Sequence, residues 1–133
     1  MARILIVEDE MLVAMELEAI LEDLGHESAG IAADLKGAMA LGEGCNIDLA
    51  LVDLNLRDGQ TGPEIGRRLC DDCGVTVLFV TANPALLGDG IAGTIGVISK
   101  PTHVGCVEAA VDYALGVRRG QRRAPPAGLR AFA

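Results

Sequence analysis

Three consecutive carboxylates, Glu8, Asp9 and Glu10, directly follow an apolar run, so that residues 4–10 read ILIVEDE. Two carboxylates about 4 Å apart repel each other by about 4 kcal/mol at an effective dielectric constant of about 20. A protein can place such groups at the end of a buried segment when a cation offsets the repulsion. The stretch therefore predicts that Glu8 and Asp9 lie at a cation site, whereas Glu10 is explained by a favourable charge at the start of a helix.

Three more apolar runs end in, or are followed by, side chains that suit phosphate chemistry, namely Asp53, Thr81 and Lys100. If the runs are parallel strands, their carboxyl ends meet at one edge of the sheet, where such folds place their sites. Mg²⁺ prefers oxygen ligands and needs only one or two carboxylates in addition to phosphate oxygens and water. The combination of carboxylates, a hydroxyl group and an ammonium group therefore indicates a Mg²⁺-dependent phosphoryl site.

Asp53 is the acid most deeply framed by apolar residues, since leucine and valine flank it on both sides. Carboxylates can act as nucleophiles toward phosphorus and then form an aspartyl phosphate. Phosphoryl transfer depends mainly on positioning and on neutralisation of charge at the phosphoryl oxygens. A metal, Lys100 and backbone amides would supply that neutralisation, and Thr81 would donate its hydroxyl to the attached phosphoryl group.

The pattern of apolar residues alternates between strands and helices along the chain. Buried-strand patterns cover residues 3–8, 27–31, 48–53, 75–81 and 94–99, and helical patterns cover residues 11–24, 34–44, 63–72 and 102–115. In residues 84–93, Gly88, Gly90 and Gly93 each cost about 1 kcal/mol in a helix interior, so that we expect two helical turns at most. The alternation predicts an α/β fold with a doubly wound, five-stranded parallel sheet and a shortened fourth helix.

Two helices show an apolar stripe that predicts their buried face. The stripe of the first helix consists of Val13, Leu17, Ile20 and Leu24, and that of the last helix consists of Val104, Val107, Val111 and Leu115. Asp34 is predicted to cap the second helix.

The order and spacing of the polar residues at the strand ends resemble the receiver domains of two-component response regulators over about residues 3–116. The resemblance implies that Glu8 and Asp9 bind the metal, that Asp53 is the phosphoacceptor and that Thr81 is the switch hydroxyl. It implies Mg²⁺ as the cofactor and a histidine kinase or a phosphotransfer protein as the donor. It also implies a flavodoxin-like strand order of 2-1-3-4-5.

Two further features follow from the same resemblance. Lys100 and Pro101 match the Lys-Pro motif of the family, whose peptide bond is typically cis and would aim the ammonium group at the phosphate. Asn55, two residues after Asp53, matches the position whose backbone carbonyl ligates the metal.

Within the family, the chain is most similar to PhyR-type receivers and their single-domain relatives. The similarity rests on the stretches VEDEMLVAMELE, DLNLRDGQTG and TANPALL. The chain departs from most receivers at Val97, where an aromatic residue is usual, and at Thr102, where phenylalanine is usual. Because the usual aromatic switch is missing, we expect activation to reorder residues 83–93.

The resemblance and the residues together leave three functions to compare. The first is a single-domain response regulator that signals through a partner surface or relays its phosphoryl group, and that is not an enzyme apart from supporting its own phosphotransfer and slow autodephosphorylation. The second is an aspartate-based phosphatase. It is disfavoured because such enzymes carry a second aspartate as the general acid two residues after the nucleophile, and this chain has Asn55 there. The third is an unphosphorylated pseudo-receiver that binds partners, which the complete acidic set disfavours.

The charge of the chain is unevenly distributed. The net charge is −8 at pH 7, yet residues 117–133 contain no acid and carry Arg118, Arg119, Arg122, Arg123 and Arg130. The acidic remainder should repel nucleic acid and favour cations or basic partner surfaces, so that we expect no direct DNA binding. We predict a receiver domain at residues 1–116 and a disordered Arg-rich tail at residues 117–133, which is either a solvated terminus or a basic docking arm.

Membrane and secretion signals are missing from the sequence. No uncharged apolar run reaches the length of about 18 residues that a membrane span needs, and the N-terminus has no signal-peptide pattern. We therefore expect a soluble cytoplasmic protein with reduced thiols at Cys45, Cys70, Cys73 and Cys106. The CxxC spacing at Cys70 and Cys73 is interpreted as structural, and the GxGxxG match at residues 88–93 as a flexible loop, because no long helix follows it.

Overall fold

A computed structural model describes residues 1–44 and 46–132 of the chain. The elements in chain order are β1 (Arg3–Val7), α1 (Met11–Asp23), β2 (Glu27–Ala32), α2 (Leu35–Gly44), β3 (Leu49–Val52), α3 (Gly62–Cys73), β4 (Thr76–Thr81), a 3₁₀ turn (Pro84–Leu87), β5 (Gly96–Ser99), α4 (Val104–Arg118) and β6 (Leu129–Ala131). Asp34 caps α2 as predicted, because its Oδ1 accepts a hydrogen bond of 2.8 Å from the backbone N–H of Gly37.

The sheet has the order β2-β1-β3-β4-β5-β6. Strands β1 to β5 pair in parallel, which confirms the predicted doubly wound α/β fold and the order 2-1-3-4-5. The sixth strand is an addition, because β6 pairs with β5 in the antiparallel direction. The expectation of a disordered tail is therefore wrong for residues 129–131, and α4 continues to Arg118. Backbone groups on the open edge of β5 favour such pairing, and the sequence of three residues is too short to show a strand pattern.

The helices cover both faces of the sheet and form one apolar core on each side. Successive residues of β1 alternate between these cores: Leu5 and Val7 belong to the core under α2 and α3, whereas Ile4 and Ile6 belong to the core under α1 and α4. A sheet that is covered on both faces requires nearly continuous apolar strands, which explains the runs in the sequence. Among the helices of residues 1–44 and 46–132, none has the length and apolar character needed to cross a membrane.

The predicted buried face is correct for α4 and partly wrong for α1. In α4, Val107, Val111 and Leu115 are buried, and only Val104 in the first turn is exposed. The residues that α1 buries are Ala14, Leu17 and Leu21, whereas Val13, Ile20 and Leu24 are half-buried. The observed face through Ala14 and Leu21 is therefore shifted by one position from the predicted stripe through Val13 and Ile20.

The connection between β4 and β5 has a shortened helical segment, as predicted. It contains a single 3₁₀ turn at Pro84–Leu87 in place of the fourth helix. Gly88 and Gly90 follow with φ angles of 52° and 109°, in the left-handed region that glycine adopts without strain. Residues 88–93 therefore form a loop rather than a dinucleotide-binding turn.

Candidate functional site

Four neighbouring strands place the polar residues at one edge of the sheet. Glu8 directly follows β1, Asp53 directly follows β3, Thr81 is the last residue of β4 and Lys100 directly follows β5. The last three of these line a cleft of about 310 Å³, whose lining residues are Asp9, Glu10, Asp53, Asn55, Thr81, Ala82, Asn83 and Lys100. A cleft of about 390 Å³ at the opposite edge, between Ala2 and Arg119, gathers no comparable set of reactive groups.

Lys100 bridges two buried carboxylates. Its Nζ donates a hydrogen bond of 2.9 Å to Oδ2 of Asp53 and another to Oε1 of Glu8. Glu8 is only 2% exposed and Asp53 is 8% exposed, so that water screens their charges weakly. The ammonium group of Lys100 therefore offsets the electrostatic repulsion between the carboxylates of Glu8 and Asp53. The peptide bond between Lys100 and Pro101 is cis, as the family resemblance implies.

Backbone amides hold the same carboxylates in place. The N–H of Leu54 donates a hydrogen bond of 2.7 Å to Oδ1 of Asp53, and the N–H of Glu10 donates one of 3.2 Å to Oε2 of Glu8. Each buried carboxylate thus has one oxygen on a backbone amide and the other on Lys100. This arrangement fixes the side chain of Asp53 before any reaction takes place.

The environment shifts two pKa values at the site. Burial raises the pKa of Glu8, and the nearby charge of Asp53 adds to this effect, although hydrogen bonds from Lys100 and the backbone oppose it. Burial lowers the pKa of Lys100, but its hydrogen bonds to Glu8 and Asp53 outweigh burial and raise the pKa above its ordinary value. Lys100 is therefore a cationic hydrogen-bond donor at neutral pH.

The carboxylates also suit a divalent metal. Glu8, Asp9 and Asp53 each offer one carboxylate oxygen, and these oxygens lie within 4.8 Å of one another. A set made only of oxygen donors fits the preference of Mg²⁺, and exposure of Asp9 leaves room for the waters that this ion retains. Asn55 lines the same cleft, and the role of its backbone carbonyl as a further ligand stays a prediction.

Thr81 is buried beside this cleft with a hydroxyl proton still to donate. Its Oγ1 accepts a hydrogen bond of 3.1 Å from the backbone N–H of Asn83. A hydroxyl group both donates and accepts, so that this contact leaves its O–H for another partner. Thr81 is only 1% exposed and lines the cleft that contains Asp53.

A family model matches most of the chain. The model of the response regulator receiver domain matches residues 4–112 of the chain. The chain belongs to the response regulator receiver domain family. Proteins of this family act as signalling modules rather than as enzymes in the usual sense.

The relatives of this receiver domain include PhyR proteins. The phyllosphere-induced regulator PhyR of Methylorubrum extorquens is 37% identical over 123 residues, which cover 90% of this chain and 46% of that protein. The crystal structure of the anti-anti-sigma factor PhyR from Bartonella quintana has a TM-score of 0.76 and 29% identity, and the match covers 90% of this chain and 49% of that one. The chain thus spans about half the length of these relatives.

A smaller relative matches over nearly its whole length. The solution NMR structure of the PhyR response regulator REC domain from Erythrobacter litoralis has a TM-score of 0.74 and 29% identity, and the match covers 95% of both chains. The predicted similarity to PhyR-type receivers is confirmed.

Gly62 lies against the backbone of Asp53 and Leu54, directly after β3, in a way that its sequence motif does not reveal. It begins α3, and a Cβ atom at this position would lie 2.1 Å from the carbonyl oxygen of Asp53 and 2.5 Å from Cα of Leu54. The backbone at both positions is fixed, so that the contact cannot be relieved by a side-chain movement. Glycine in the first helical turn after the loop that follows Asp53 is the signal that could have indicated it.

We expect Gly62→Ala to lower the free energy of unfolding of this receiver domain by about 3 kcal/mol, because the added methyl group overpacks the site backbone. Urea unfolding measures the change. The control is Gly105→Ala in the first turn of α4, where a Cβ atom would meet nothing within 4 Å. Equal stability of the two variants would contradict the close approach.

None of the three cysteines that the structure describes lines this cleft. The thiols of Cys70, Cys73 and Cys106 are free, and Cys45 lies outside the described residues. Cys70 Sγ donates a hydrogen bond of 3.1 Å to the carbonyl oxygen of Gly93. Burial raises the pKa of both Cys70 and Cys73, which disfavours the reactive thiolate form and agrees with the structural interpretation of the CxxC spacing.

Proposed function

We propose that Asp53 accepts a phosphoryl group from a histidine kinase or a phosphotransfer protein in a Mg²⁺-dependent reaction. The chain then acts as a single-domain response regulator, which signals by a conformational change or passes the phosphoryl group on in a relay. The observation that supports this proposal is the bridge of Lys100 between the buried carboxylates of Glu8 and Asp53, next to the buried hydroxyl of Thr81.

The proposed reaction is an in-line transfer to Asp53. A carboxylate oxygen of Asp53 forms a bond to phosphorus, while the bond between phosphorus and the donor nitrogen breaks and the imidazole leaves. The ammonium group of Lys100 and the hydroxyl of Thr81 donate hydrogen bonds to the phosphoryl oxygens. Mg²⁺ held by Glu8, Asp9, Asp53 and the carbonyl of Asn55 would neutralise negative charge on the same oxygens when bound.

The product is an acyl phosphate that water can slowly hydrolyse. Asn55 and Asn83, which line the cleft on either side of Asp53, are neutral amides and supply no general base or general acid. Slow autodephosphorylation rather than phosphatase turnover is therefore part of the proposal.

The downstream partner in this proposal is a protein in the cytoplasm. The relative from Bartonella quintana is called an anti-anti-sigma factor. By analogy, we infer that this chain also controls a protein partner rather than DNA. The strongly acidic composition of residues 1–116 favours a partner with a basic surface.

Mass spectrometry of the intact protein tests the proposal. We expect incubation with a small phosphodonor and Mg²⁺ to add the mass of one phosphoryl group. Removal of Mg²⁺ with a chelator should reduce this incorporation at least about tenfold, because the negative charge on the transferring oxygens is then neutralised by Lys100 alone. Incorporation that persists at the full rate in excess chelator would contradict the metal dependence.

A further inference from the structure

The C-terminal segment reaches across the edge of the sheet toward the phosphoacceptor site. In β6, Arg130 pairs with Val97 and Ala131 pairs with Gly96 of β5. The backbone N–H of Phe132 adds a hydrogen bond of 3.0 Å to the carbonyl oxygen of Ile95. A strand of three residues has few backbone hydrogen bonds, so that its side chains determine where it is held.

Arg130 binds both ends of the 3₁₀ turn that follows β4. Its Nη1 donates a hydrogen bond of 2.7 Å to the carbonyl oxygen of Gly88, and its Nη2 donates one of 3.0 Å to that of Pro84. The planar guanidinium group is suited to such paired contacts. It also lies over the ring of Phe132, with 5.4 Å between Cζ and the ring centroid. One side chain therefore joins the tail to both ends of the turn.

Phe132 fixes the segment on the next part of the same loop. A Cβ atom at Gly90 would lie 2.4 Å from the ring of Phe132, so that the ring packs directly on the backbone of Gly90. The ring is also 6.4 Å from that of Phe79 in β4, measured between centroids, and belongs to the edge of the core that contains Val97. The tail thus contacts the loop through both a charged and an aromatic side chain.

The segment that Arg130 holds is continuous with the site. Thr81 ends β4, the N–H of Asn83 donates to Oγ1 of Thr81, and Pro84 begins the turn whose carbonyl oxygen Arg130 binds. Thr81 and Asn83 line the cleft that contains Asp53. A phosphoryl group on Asp53 would draw the hydroxyl of Thr81 toward itself. It would therefore act on residues 83–88, the segment that the tail restrains.

We propose that residues 129–132 form an intramolecular strap, with Arg130 as its positioning residue, which holds residues 83–88 in the unphosphorylated conformation. The strap and a phosphoryl group on Asp53 oppose each other through this segment. The inference rests on the proposed phosphorylation of Asp53. Coupling between two sites is reciprocal. If occupation of Asp53 weakens the contacts of the strap, then loss of those contacts strengthens binding at Asp53 by the same factor.

The affinity for beryllium fluoride in the presence of Mg²⁺ tests the strap, because this tetrahedral complex replaces the phosphoryl group on a carboxylate at equilibrium. Arg130→Met keeps a long unbranched side chain but removes all hydrogen-bond donors of the guanidinium group. We expect this variant to bind beryllium fluoride about fivefold tighter than the unmodified protein. Arg130→Lys, which retains one donating group, should lie between the two. Unchanged or weaker binding by Arg130→Met would overturn the proposal.

Arg123→Met is the matched control. Arg123 is also an exposed arginine of the tail, and its Nη1 donates a hydrogen bond of 2.7 Å to a backbone carbonyl, that of Asp112, far from the 3₁₀ turn. Its substitution should leave the affinity unchanged. If the unmodified protein binds no beryllium fluoride, the proposed function itself fails. If it binds and Arg130→Met binds equally, only the strap fails.

Hydrogen exchange gives a second measurement that needs no substitution. We expect the amides of residues 130–132, including the N–H that Phe132 donates to Ile95, to exchange at least about fivefold faster when beryllium fluoride and Mg²⁺ are added, because the coupling is reciprocal. Equal protection with and without beryllium fluoride would overturn the proposal.

Discussion

Asp53→Asn is expected to reduce phosphoryl incorporation to the background level. The substitution preserves the size of the side chain and removes the nucleophilic carboxylate oxygen that must bond to phosphorus. The carbonyl oxygen of Asn can still accept the hydrogen bond from the N–H of Leu54. Lys100 keeps its contact with Glu8. The variant should therefore fold and fail only in the transfer step.

Intact mass after incubation with a small phosphodonor and Mg²⁺ measures this effect. The matched control is Asp23→Asn at the end of α1, which removes the same charge from an exposed position at the other edge of the sheet. It should incorporate one phosphoryl group at the rate of the unmodified protein. A mass increase that survives Asp53→Asn would show that another residue is the phosphoacceptor.

Lys100→Met is expected to lower the free energy of unfolding by about 3 kcal/mol at neutral pH. The substitution leaves Glu8 and Asp53 buried together without the ammonium group that both contact. Removal of one partner from a buried charge pair typically costs about 3–5 kcal/mol, because the remaining charge is uncompensated. Asp53 retains some exposure to water, which places the expected value at the lower end of this range.

Urea unfolding of two further variants distinguishes this charge effect from simple loss of packing. Lys36→Met changes the other lysine of the chain, which is exposed, and should leave stability within about 0.5 kcal/mol of the unmodified protein. The double variant Glu8→Gln with Lys100→Met should recover most of the loss, because one of the two unpaired charges is gone. A double variant as unstable as Lys100→Met alone would refute the charge explanation.

Mg²⁺ provides an independent check of the same variant. The ion replaces the missing positive charge among Glu8, Asp9 and Asp53, so that it should stabilise Lys100→Met more than it stabilises the unmodified protein. Thermal unfolding with and without Mg²⁺ measures this difference. Equal stabilisation of both proteins would indicate that the ion does not bind at these carboxylates.

The sequence is sufficient to predict where Glu8, Asp53, Thr81 and Lys100 lie, because each one ends an apolar strand or directly follows it. Asp53 and Thr81 are placed by the ends of β3 and β4, and parallel pairing brings all such ends to one edge. The bridge of Lys100 between Glu8 and Asp53 could not be predicted in detail. Lys100 is separated from Asp53 by 47 positions and from Glu8 by 92 positions, so that the order of the strands alone brings them together.

The errors in the sequence interpretation have local causes. In α1, the stripe through Val13 and Ile20 is more hydrophobic than the observed face through Ala14 and Leu21, so that hydrophobicity alone selects the wrong rotation of the helix. In the tail, arginine, proline and glycine dominate the composition and conceal Leu129, which packs in the core beside Ile98. Tertiary contacts decide both cases, and neither leaves a periodic signal.

The position of β6 determines which strand forms the open edge of the sheet next to β5. With β6 in place, the outermost strands are β2 and β6, and the apolar residues Val97 and Ile98 of β5 lie one strand inside the edge. An open edge of apolar residues is a template on which strands of other copies add, and this is the first step of aggregation. We therefore expect the three residues of β6 to reduce aggregation by covering the edge of β5, and cleavage of the arginine-rich segment before them to expose that edge.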